Sequence, residues 1–296
     1  MIAVMGATGH TGRKLTEILL QAGERVRALG RSQTRLAELE RAGAEAWAGD
    51  AADAEFLTTA FRGADAVFAL LPPDLRAADY RAAQDRVSTA ITTAIRDSGV
   101  RSVVVLSSLG AELAGGTGPI ATCHDLEQRL KQLEHIDVLV LRPAYFFENF
   151  EESLDLITQQ GIHANAVDPD VPVPMVATRD IANAAAEALR LRKWQGHVVR
   201  ELLGPRDLTF AEVTRILGTR LGKPDLPYVR MSYDDLAATL VQTGLSSDVA
   251  RTYVELVRAL NEGIVRSIEG RSAANTTPTR FEEFAEELAG DFARTS

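Results

Sequence analysis

Three glycines near the start of the chain, Gly6, Gly9 and Gly12, have a spacing that suits a phosphate-binding turn. A short apolar run at 2–5 comes directly before them, and a helical pattern begins near Lys14. Glycines at this spacing allow a tight turn, a close approach of the backbone to a pyrophosphate, and close packing of a helix on a strand. The N–H groups at the start of the helix would then face the anion. The segment predicts a dinucleotide site, with a plain glycine-rich turn as the alternative. The expected contacts from this turn are Gly6, Thr8, Gly9, His10, Thr11 and Gly12.

The residue that distinguishes NAD(H) from NADP(H) is expected at the tip of the second strand, about twenty residues further on. An acidic side chain at that tip would bind the ribose hydroxyls of NAD(H). Here the tip reads Gly30-Arg31-Ser32, and the nearest acid, Glu24, lies at the other end of the strand. Because a guanidinium can hold a phosphate through two hydrogen bonds, Arg31 favours NADP(H), with NAD(H) as the second choice. A solvated surface arginine is the alternative.

Strand and helix patterns alternate through the first half of the chain, which indicates a parallel sheet with right-handed crossovers. The predicted strands are 2–5, 25–29, 44–48, 66–71, 102–106 and 137–141. The predicted helices are 11–22, 33–42, 54–61, 77–98 and 123–133. The sequence therefore predicts an α/β fold with a doubly wound (Rossmann) sheet, in which the ligand lies across the carboxyl ends of the strands. Further cofactor contacts are expected where strands end, at Asp50, Leu71, Ser107 and Pro143.

The regular alternation stops after Arg142, which predicts a second, smaller lobe. The proline-rich stretch 167–174 is expected to run extended over the surface between the lobes. Asp180 is expected to cap a helix at 181–191, and a further strand is expected at 198–203. Capping pairs in the last third predict short helices, and they are Thr209 with Glu212, Ser232 with Asp235, and Thr279 with Glu282.

These patterns predict a dinucleotide-binding domain at 1–152, to which 176–200 returns. The small, mostly helical C-terminal lobe is expected to comprise 153–175 and 201–296. Such a lobe would cover the substrate end of the cleft or form the surface of a homodimer.

Composition excludes several classes of protein. With 296 residues and 46% hydrophobic content, the chain can form one α/β domain with a buried core and a smaller lobe. A net charge of −9 argues against a nucleic-acid surface. The single cysteine, Cys123, excludes an internal disulfide, and the histidines lack the spacing of metal ligands. No apolar run approaches the roughly 18 residues that cross a bilayer, so we expect a cytoplasmic protein without membrane contact.

Segments spread over almost the whole chain form a specific combination. They are 6–12, Arg31, Gly49-Asp50, Ser107-Ser108, 141–149, 178–182 and 203–213. This combination resembles the NmrA-like family of atypical short-chain dehydrogenases. The resemblance implies a Rossmann domain that binds NAD(P)(H) and a small substrate lobe. It also implies either a reductase of quinones, azo compounds or plant phenolics, or a regulator that senses the cofactor and binds a protein partner.

The chain departs from short-chain dehydrogenases in general at the tyrosine and lysine that protonate a carbonyl. None of its five tyrosines is followed by a lysine four positions later, and the expected place reads Ala121 to Glu127. We therefore expect an acceptor that needs little acid assistance, such as a quinone, an azo compound or an enone. Proximity and orientation would supply most of the acceleration. Epimerase chemistry on a nucleotide sugar is a less favoured alternative.

Candidate catalytic residues follow the fifth strand. The hydroxyls of Ser107 and Ser108 could orient a carbonyl or the cofactor ribose, although both could also be turn residues. His124 is the candidate proton donor, because histidine side chains titrate near neutral pH. A solvated or cofactor-stacking histidine is the alternative, and Glu127 could lie on the solvent face of the same helix.

Aromatic residues follow the sixth strand and could wall a pocket with flat apolar surface. We expect Tyr145 or Phe146 to face the pocket, with Tyr145 also a catalytic candidate, and Phe147 to face inward. Asn149 could place an amide near the nicotinamide or the substrate, or cap a helix.

Overall fold

The structure, a computed structural model, describes residues 1–295. The strands are β1 (Ile2–Val4), β2 (Val26–Gly30), β3 (Glu45–Ala48), β4 (Ala66–Leu70), β5 (Ser102–Leu106), β6 (Asp137–Pro143), β7 (Tyr145–Phe146), β8 (His163–Asn165), β9 (Val173–Val176), β10 (His197–Leu202), β11 (Asp207–Leu208) and β12 (Tyr228–Arg230). The helices are α1 (His10–Gln21), α2 (Gln33–Arg41), α3 (Ala54–Phe61), α4 (Tyr80–Ser98), α5 (Ile120–Leu130), α6 (Leu154–Gln160), α7 (Thr178–Leu191), α8 (Phe210–Arg220), α9 (Tyr233–Gln242), α10 (Ser247–Asn261) and α11 (Phe281–Thr295), with a 3₁₀ helix at Phe147–Ser153.

Seven strands form the central sheet in the order β10-β6-β5-β4-β1-β2-β3, and every neighbouring pair is parallel. The chain leaves β1 toward β2 and β3 on one side and returns to β4 on the other. The six predicted strands and the doubly wound α/β fold are therefore confirmed, and β10 extends the sheet beyond β6. The crevice between the carboxyl ends of β1 and β4 is the topological switch point, where such sheets bind ligands.

Helices cover both faces of this sheet, so its strands carry apolar side chains on both sides. Ile2 and Val4 pack with α1, α2 and α7, whereas Ala3 packs with α3, α4 and α5. The period of two along β1 thus divides the core into two layers. No helix within residues 1–295 is long and apolar enough to span a bilayer.

A third core lies beside the sheet and is built around Phe147, Phe150 and Phe210. Two small sheets support it, with the orders β11-β9-β7 and β12-β8. Thr209 and Glu212 form the predicted capping box at the start of α8, and Ser232 caps α9.

The expectation that 167–174 runs over the surface is wrong at both ends of the segment, although Asp170 and Pro172 between them are exposed. Val167 and Val173 are each 1% exposed and belong to the third core, and β9 begins at Val173. Both valines pack with the aromatic residues of that core.

The start of α7 also differs from the expectation, because the helix begins at Thr178 and Asp180 lies inside it. The Glu148 carboxylate accepts hydrogen bonds from the Thr178 amide at 3.0 Å and from its hydroxyl at 2.6 Å, so it takes the place of a local cap. Asp180 instead accepts from the amide and hydroxyl of Thr279, at 3.0 and 2.9 Å. Thr279 therefore does not form the expected capping pair with Glu282.

Candidate functional site

A cleft of about 480 Å³ runs along the carboxyl ends of the central strands, at the switch point. Its lining begins at the glycine turn after β1 and includes the ends of β2, β4 and β5. The sequence-predicted residues that line it are Gly6, Thr8, Gly9, His10, Thr11, Gly12, Arg31, Leu71, Ser107 and Phe146.

The glycine turn forms a cradle that larger side chains would block. Gly6 has φ +62°, a left-handed conformation that favours glycine. A Cβ on Gly12 would lie 2.2 Å from the Gly6 carbonyl oxygen, so only glycine fits at the start of α1. The first N–H groups of a helix have no partner within the helix, and those of α1 face this turn. The cradle therefore fits the diphosphate of a dinucleotide.

Two arginines lie at the β2 end of the cleft. Arg31 and Arg35 both line it, and both are exposed to solvent. Sequence reasoning missed Arg35, although its position one helical turn after Arg31 was a usable signal. Asp50 does not line the cleft, and its carboxylate accepts a hydrogen bond from the Ala52 amide at 2.9 Å. The cationic end of the cleft can bind a phosphate beside an adenosine.

The opposite end of the cleft is apolar and holds two small polar side chains. Leu71, Pro72 and Phe146 form its walls, with Ser107 and Cys123 between them. Burial raises the pKa of the Cys123 thiol to about 12, so the thiol stays protonated at neutral pH. A flat apolar group of nicotinamide size suits this end.

Ser107 takes part in a buried network that sequence reasoning missed. Its hydroxyl lies 2.5 Å from the Oε1 atom of Glu127, which is completely buried. Arg142 donates to both carboxylate oxygens of Glu127, at 3.0 and 2.6 Å, and to Glu112 at 3.1 Å. Burial opposes the charge of Arg142, but its hydrogen bond with Glu127 raises the pKa of the guanidinium above its ordinary value. Glu127 is thus a core residue and does not lie on the solvent face.

Ser108 and His124 do not line the cleft. The Ser108 hydroxyl donates to the Leu109 carbonyl oxygen at 3.0 Å. His124 Nδ1 lies 2.9 Å from the Ala111 carbonyl oxygen, and because that oxygen can only accept, Nδ1 carries the hydrogen. Both side chains hold the loop that follows β5.

The aromatic residues after β6 separate to different sides. Phe146 faces the cleft, and Phe147 is buried in the third core. The Tyr145 ring packs against that of Phe150, with 5.7 Å between the two ring centroids. Burial raises the pKa of Tyr145 above its ordinary value. Asn149 is exposed on the 3₁₀ helix.

Pro143 is also outside the cleft, because it ends β6 inside the core. Its carbonyl oxygen accepts from the Leu109 amide at 3.0 Å. Within residues 1–295, no group of three or more histidine, cysteine, aspartate or glutamate side chains is placed to hold a metal ion.

A doubly wound parallel sheet with a glycine cradle at its switch point defines a dinucleotide-binding protein of the Rossmann type. The family is specified by the sequence as a whole, because the model of the NmrA-like family matches residues 1–285. The chain therefore belongs to the NmrA-like family.

Proteins that are similar in sequence to this chain include enzymes with named activities. The chain is 26% identical over 260 residues to the NAD(P)H azoreductase of Xenophilus azovorans, with 86% of each chain covered. It is 26% identical over 254 residues to quinone oxidoreductase 2 of Escherichia coli, with 84% of each covered. The structure of an NADPH-dependent quinone oxidoreductase from Escherichia coli complexed with NADPH has a TM-score of 0.81 at 22% identity, covering 97% of this chain and 99% of that one. This structural likeness shows the fold.

Proposed function

We propose that the chain is an NAD(P)H-dependent oxidoreductase that prefers NADPH and reduces a small planar acceptor such as a quinone, an azo compound or an enone. The observation that carries this proposal is the arrangement of one continuous cleft. The cleft has a glycine cradle in the middle, Arg31 and Arg35 at one end, and the apolar walls of Leu71 and Phe146 at the other. The named activities of the azoreductase and quinone oxidoreductase relatives support the choice of acceptor.

Each part of the cleft has a separate task in this proposal. The amides at the start of α1 bind the diphosphate, and the two arginines bind the 2′-phosphate. When bound, the cofactor supplies hydride at nicotinamide C4. Leu71, Pro72 and Phe146 exclude water and hold a flat acceptor against the ring, which gives acceleration by proximity and orientation.

We further propose that the C-terminal lobe, 153–175 and 201–296, closes the substrate end of this cleft. The Ser246 hydroxyl donates to the Ala77 carbonyl oxygen at 2.6 Å, and the Asp248 carboxylate accepts from the Tyr80 amide at 2.9 Å. Both contacts join the start of α10 to the segment that follows the cleft wall at Pro72. The lobe can therefore set which acceptors enter.

Steady-state oxidation of NADPH against a panel of quinones, azo dyes and enones tests the reductase proposal. We expect turnover with at least one of these classes, and a higher kcat/KM with NADPH than with NADH. Binding of NADPH is measured in parallel by fluorescence titration. If NADPH binds and no acceptor in the panel is reduced, the reductase proposal is wrong.

A second candidate function is a regulator that senses NADP(H) and acts through a protein partner. The observation that favours it is that Ser108, His124 and Tyr145 do not line the cleft. A sensor requires different affinities for the oxidised and reduced cofactor, coupled to its affinity for the partner. Equal dissociation constants for NADP⁺ and NADPH would contradict it.

A further inference from the structure

The direction of one hydroxyl hydrogen follows from the network around Ser107. Arg142 has only donors, and it occupies both carboxylate oxygens of Glu127 at 3.0 and 2.6 Å. Glu127 is therefore an ionised carboxylate, which can only accept. The contact of 2.5 Å between Ser107 and Glu127 must then be a hydrogen bond donated by the serine. Its single hydrogen points into the core.

The Cys123 thiol is also hydrogen-bonded to Ser107, and because the serine hydrogen goes to Glu127, the S–H group donates to one lone pair of the Ser107 oxygen. The second lone pair remains available on the side of the cleft that this residue lines. An oxygen without a free hydrogen accepts hydrogen bonds and cannot stabilise a carbonyl oxygen by donation. The polar group of the ligand nearest to Ser107 must then be an O–H or N–H donor. The nicotinamide half of the cofactor offers two such donors, the ribose hydroxyls and the carboxamide N–H group.

The network is fixed too firmly for the hydroxyl to turn around at low cost. The side chain of Glu127 is 0% exposed and that of Arg142 is 7% exposed. Removing one partner of a buried ion pair leaves an uncompensated charge, so both partners stay in place. The second carboxylate, Glu112, holds the remaining Nη1 atom of Arg142 at 3.1 Å. The orientation of Ser107 is thus set before any ligand binds.

We propose that Glu127, held by Arg142, is a positioning residue that makes Ser107 a hydrogen-bond acceptor for the nicotinamide half of the cofactor. Ser107 then aligns the cofactor and takes no part in activating the acceptor. This inference rests on the proposed function and adds two residues, Glu127 and Arg142, that do not touch the cofactor.

The first test is Ser107→Ala, with NADPH binding followed by fluorescence titration of the intact protein. Loss of one hydrogen bond is expected to raise the dissociation constant about three- to tenfold. The kcat at saturating NADPH is expected to fall by no larger a factor than the affinity does, because Ser107 aligns the cofactor and does not contact the acceptor. Ser98→Ala is the matched control, since its hydroxyl bonds to Ile95 at the other end of the sheet. Unchanged NADPH affinity, or a lowered kcat at unchanged affinity, would overturn the proposal.

The donor is identified with the 3-acetylpyridine analogue of NADPH, which lacks the carboxamide N–H group. If Ser107→Ala lowers the affinities for NADPH and for the analogue equally, the donor is a ribose hydroxyl. If it lowers only the affinity for NADPH, the donor is the carboxamide. Both results support an accepting Ser107. Weakening of the analogue alone would contradict it.

The second test is the coupling between Ser107 and Glu127. Glu127→Gln places an amide donor against either Ser107 or Arg142, so Ser107 no longer has to donate inward. We expect Glu127→Gln to lower the affinity for NADPH at least as much as Ser107→Ala does. The double variant should bind NADPH as tightly as Glu127→Gln alone, because both substitutions remove the same interaction. Additive losses of affinity would show that Glu127 affects NADPH binding independently of Ser107, and the positioning role would be wrong. Should Glu127→Gln fail to fold, the Ser107→Ala and analogue measurements still decide whether Ser107 is an acceptor, which is the property that Glu127 is proposed to impose.

These outcomes separate this inference from the proposed function. If the unaltered protein binds neither NADPH nor NADP⁺, the proposed function itself is wrong. If it binds NADPH and reduces an acceptor while Ser107→Ala behaves as the unaltered protein, only the role of Ser107 and Glu127 is wrong.

Discussion

The guanidinium of Arg35 donates a hydrogen bond to the carbonyl oxygen of Thr8 at 2.8 Å. This contact ties the first turn of α2 to the glycine turn. Because Arg31 lines the same end of the cleft, two cations face the place expected for the adenosine 2′-phosphate. We therefore expect Arg35 to share with Arg31 the discrimination between NADPH and NADH.

Arg31→Ala and Arg35→Ala are each expected to lower the affinity for NADPH about tenfold. The affinity for NADH should stay almost unchanged, because only NADPH carries the 2′-phosphate. Dissociation constants for both cofactors measure the effect. Arg96→Ala, an exposed arginine paired with Asp97, serves as the control. An unchanged ratio of the two affinities in both variants would show that neither arginine reads the phosphate.

Substitutions of two glycines should separate folding from cofactor binding. An added Cβ on Gly12 meets the Gly6 carbonyl oxygen at 2.2 Å, whereas one on Gly9 has its nearest neighbour at 3.5 Å. Gly12→Ala is therefore expected to lower the free energy of unfolding by about 1–3 kcal/mol. Gly9→Ala should leave the free energy of unfolding unchanged. It should still lower the affinity for NADPH, because the added methyl group would lie where the diphosphate is expected to bind. Thermal unfolding and titration of the same samples test both. Equal stability of the two variants would refute the steric argument.

His163 should make the stability of the protein fall in mild acid. Burial lowers the pKa of His163 from 6.5 to about 4. Its Nδ1 atom donates to the Thr214 hydroxyl at 2.6 Å, because the hydrogen of that hydroxyl goes to the Phe210 carbonyl oxygen. The Nε2 atom is buried without a partner among the described residues. A proton on Nε2 would therefore be a buried charge without compensation.

The sign follows from the lowered pKa, since the unfolded chain binds the proton more readily than the folded protein. The stabilisation is complete above pH 6.5 and is lost as the pH falls toward 4. Because a pKa difference between the folded and unfolded states is a difference in stability, His163 contributes about 3 kcal/mol to the free energy of unfolding, and this contribution is lost in acid. His163→Phe should remove this part of the pH dependence in chemical unfolding at pH 7 and pH 4. The exposed His135→Asn is the control, and an equal slope for all three proteins would contradict the prediction.

Asp180 should hold the segment before α11 to the central domain. It is 4% exposed and accepts both hydrogen bonds that Thr279 can donate. Asp180→Ala leaves two buried donors unpaired, so a loss of about 1–3 kcal/mol in the free energy of unfolding is expected. Faster amide hydrogen exchange across 279–292 would accompany it. Asp225→Ala, at an exposed aspartate, is the control, and unchanged exchange would show that other contacts hold the segment.

The sequence by itself determined the glycine turn, the order of the central strands and the position of Arg31 at the end of the second strand. These features are local or follow from a general rule. A glycine turn is defined within seven consecutive residues, and right-handed crossovers leave few arrangements for alternating strands and helices. The position of Arg31 at the edge of the cleft could be predicted because its distance from the glycines is fixed by the length of one strand and one helix.

The buried strand β9 was out of reach of the same reasoning. Prolines at 172 and 174 indicate an exposed segment when the chain is considered alone. Val173, which lies between them, becomes a core residue only when α8 and the aromatic residues of the 3₁₀ helix surround it. Likewise, the side on which Tyr145 or Phe146 lies depends on that third core, which takes up the tyrosine ring.

Only the tertiary structure decided what Ser107 can do. Glu127 lies on a helix and Arg142 on a strand, and in a single sequence both are typical of exposed positions, because charged residues are rarely buried unless they are paired. The crossover from α5 to β6 brings them together beneath the end of β5. The pairing of two charges in the core therefore fixes the hydrogen of the serine, which no local pattern of residues records.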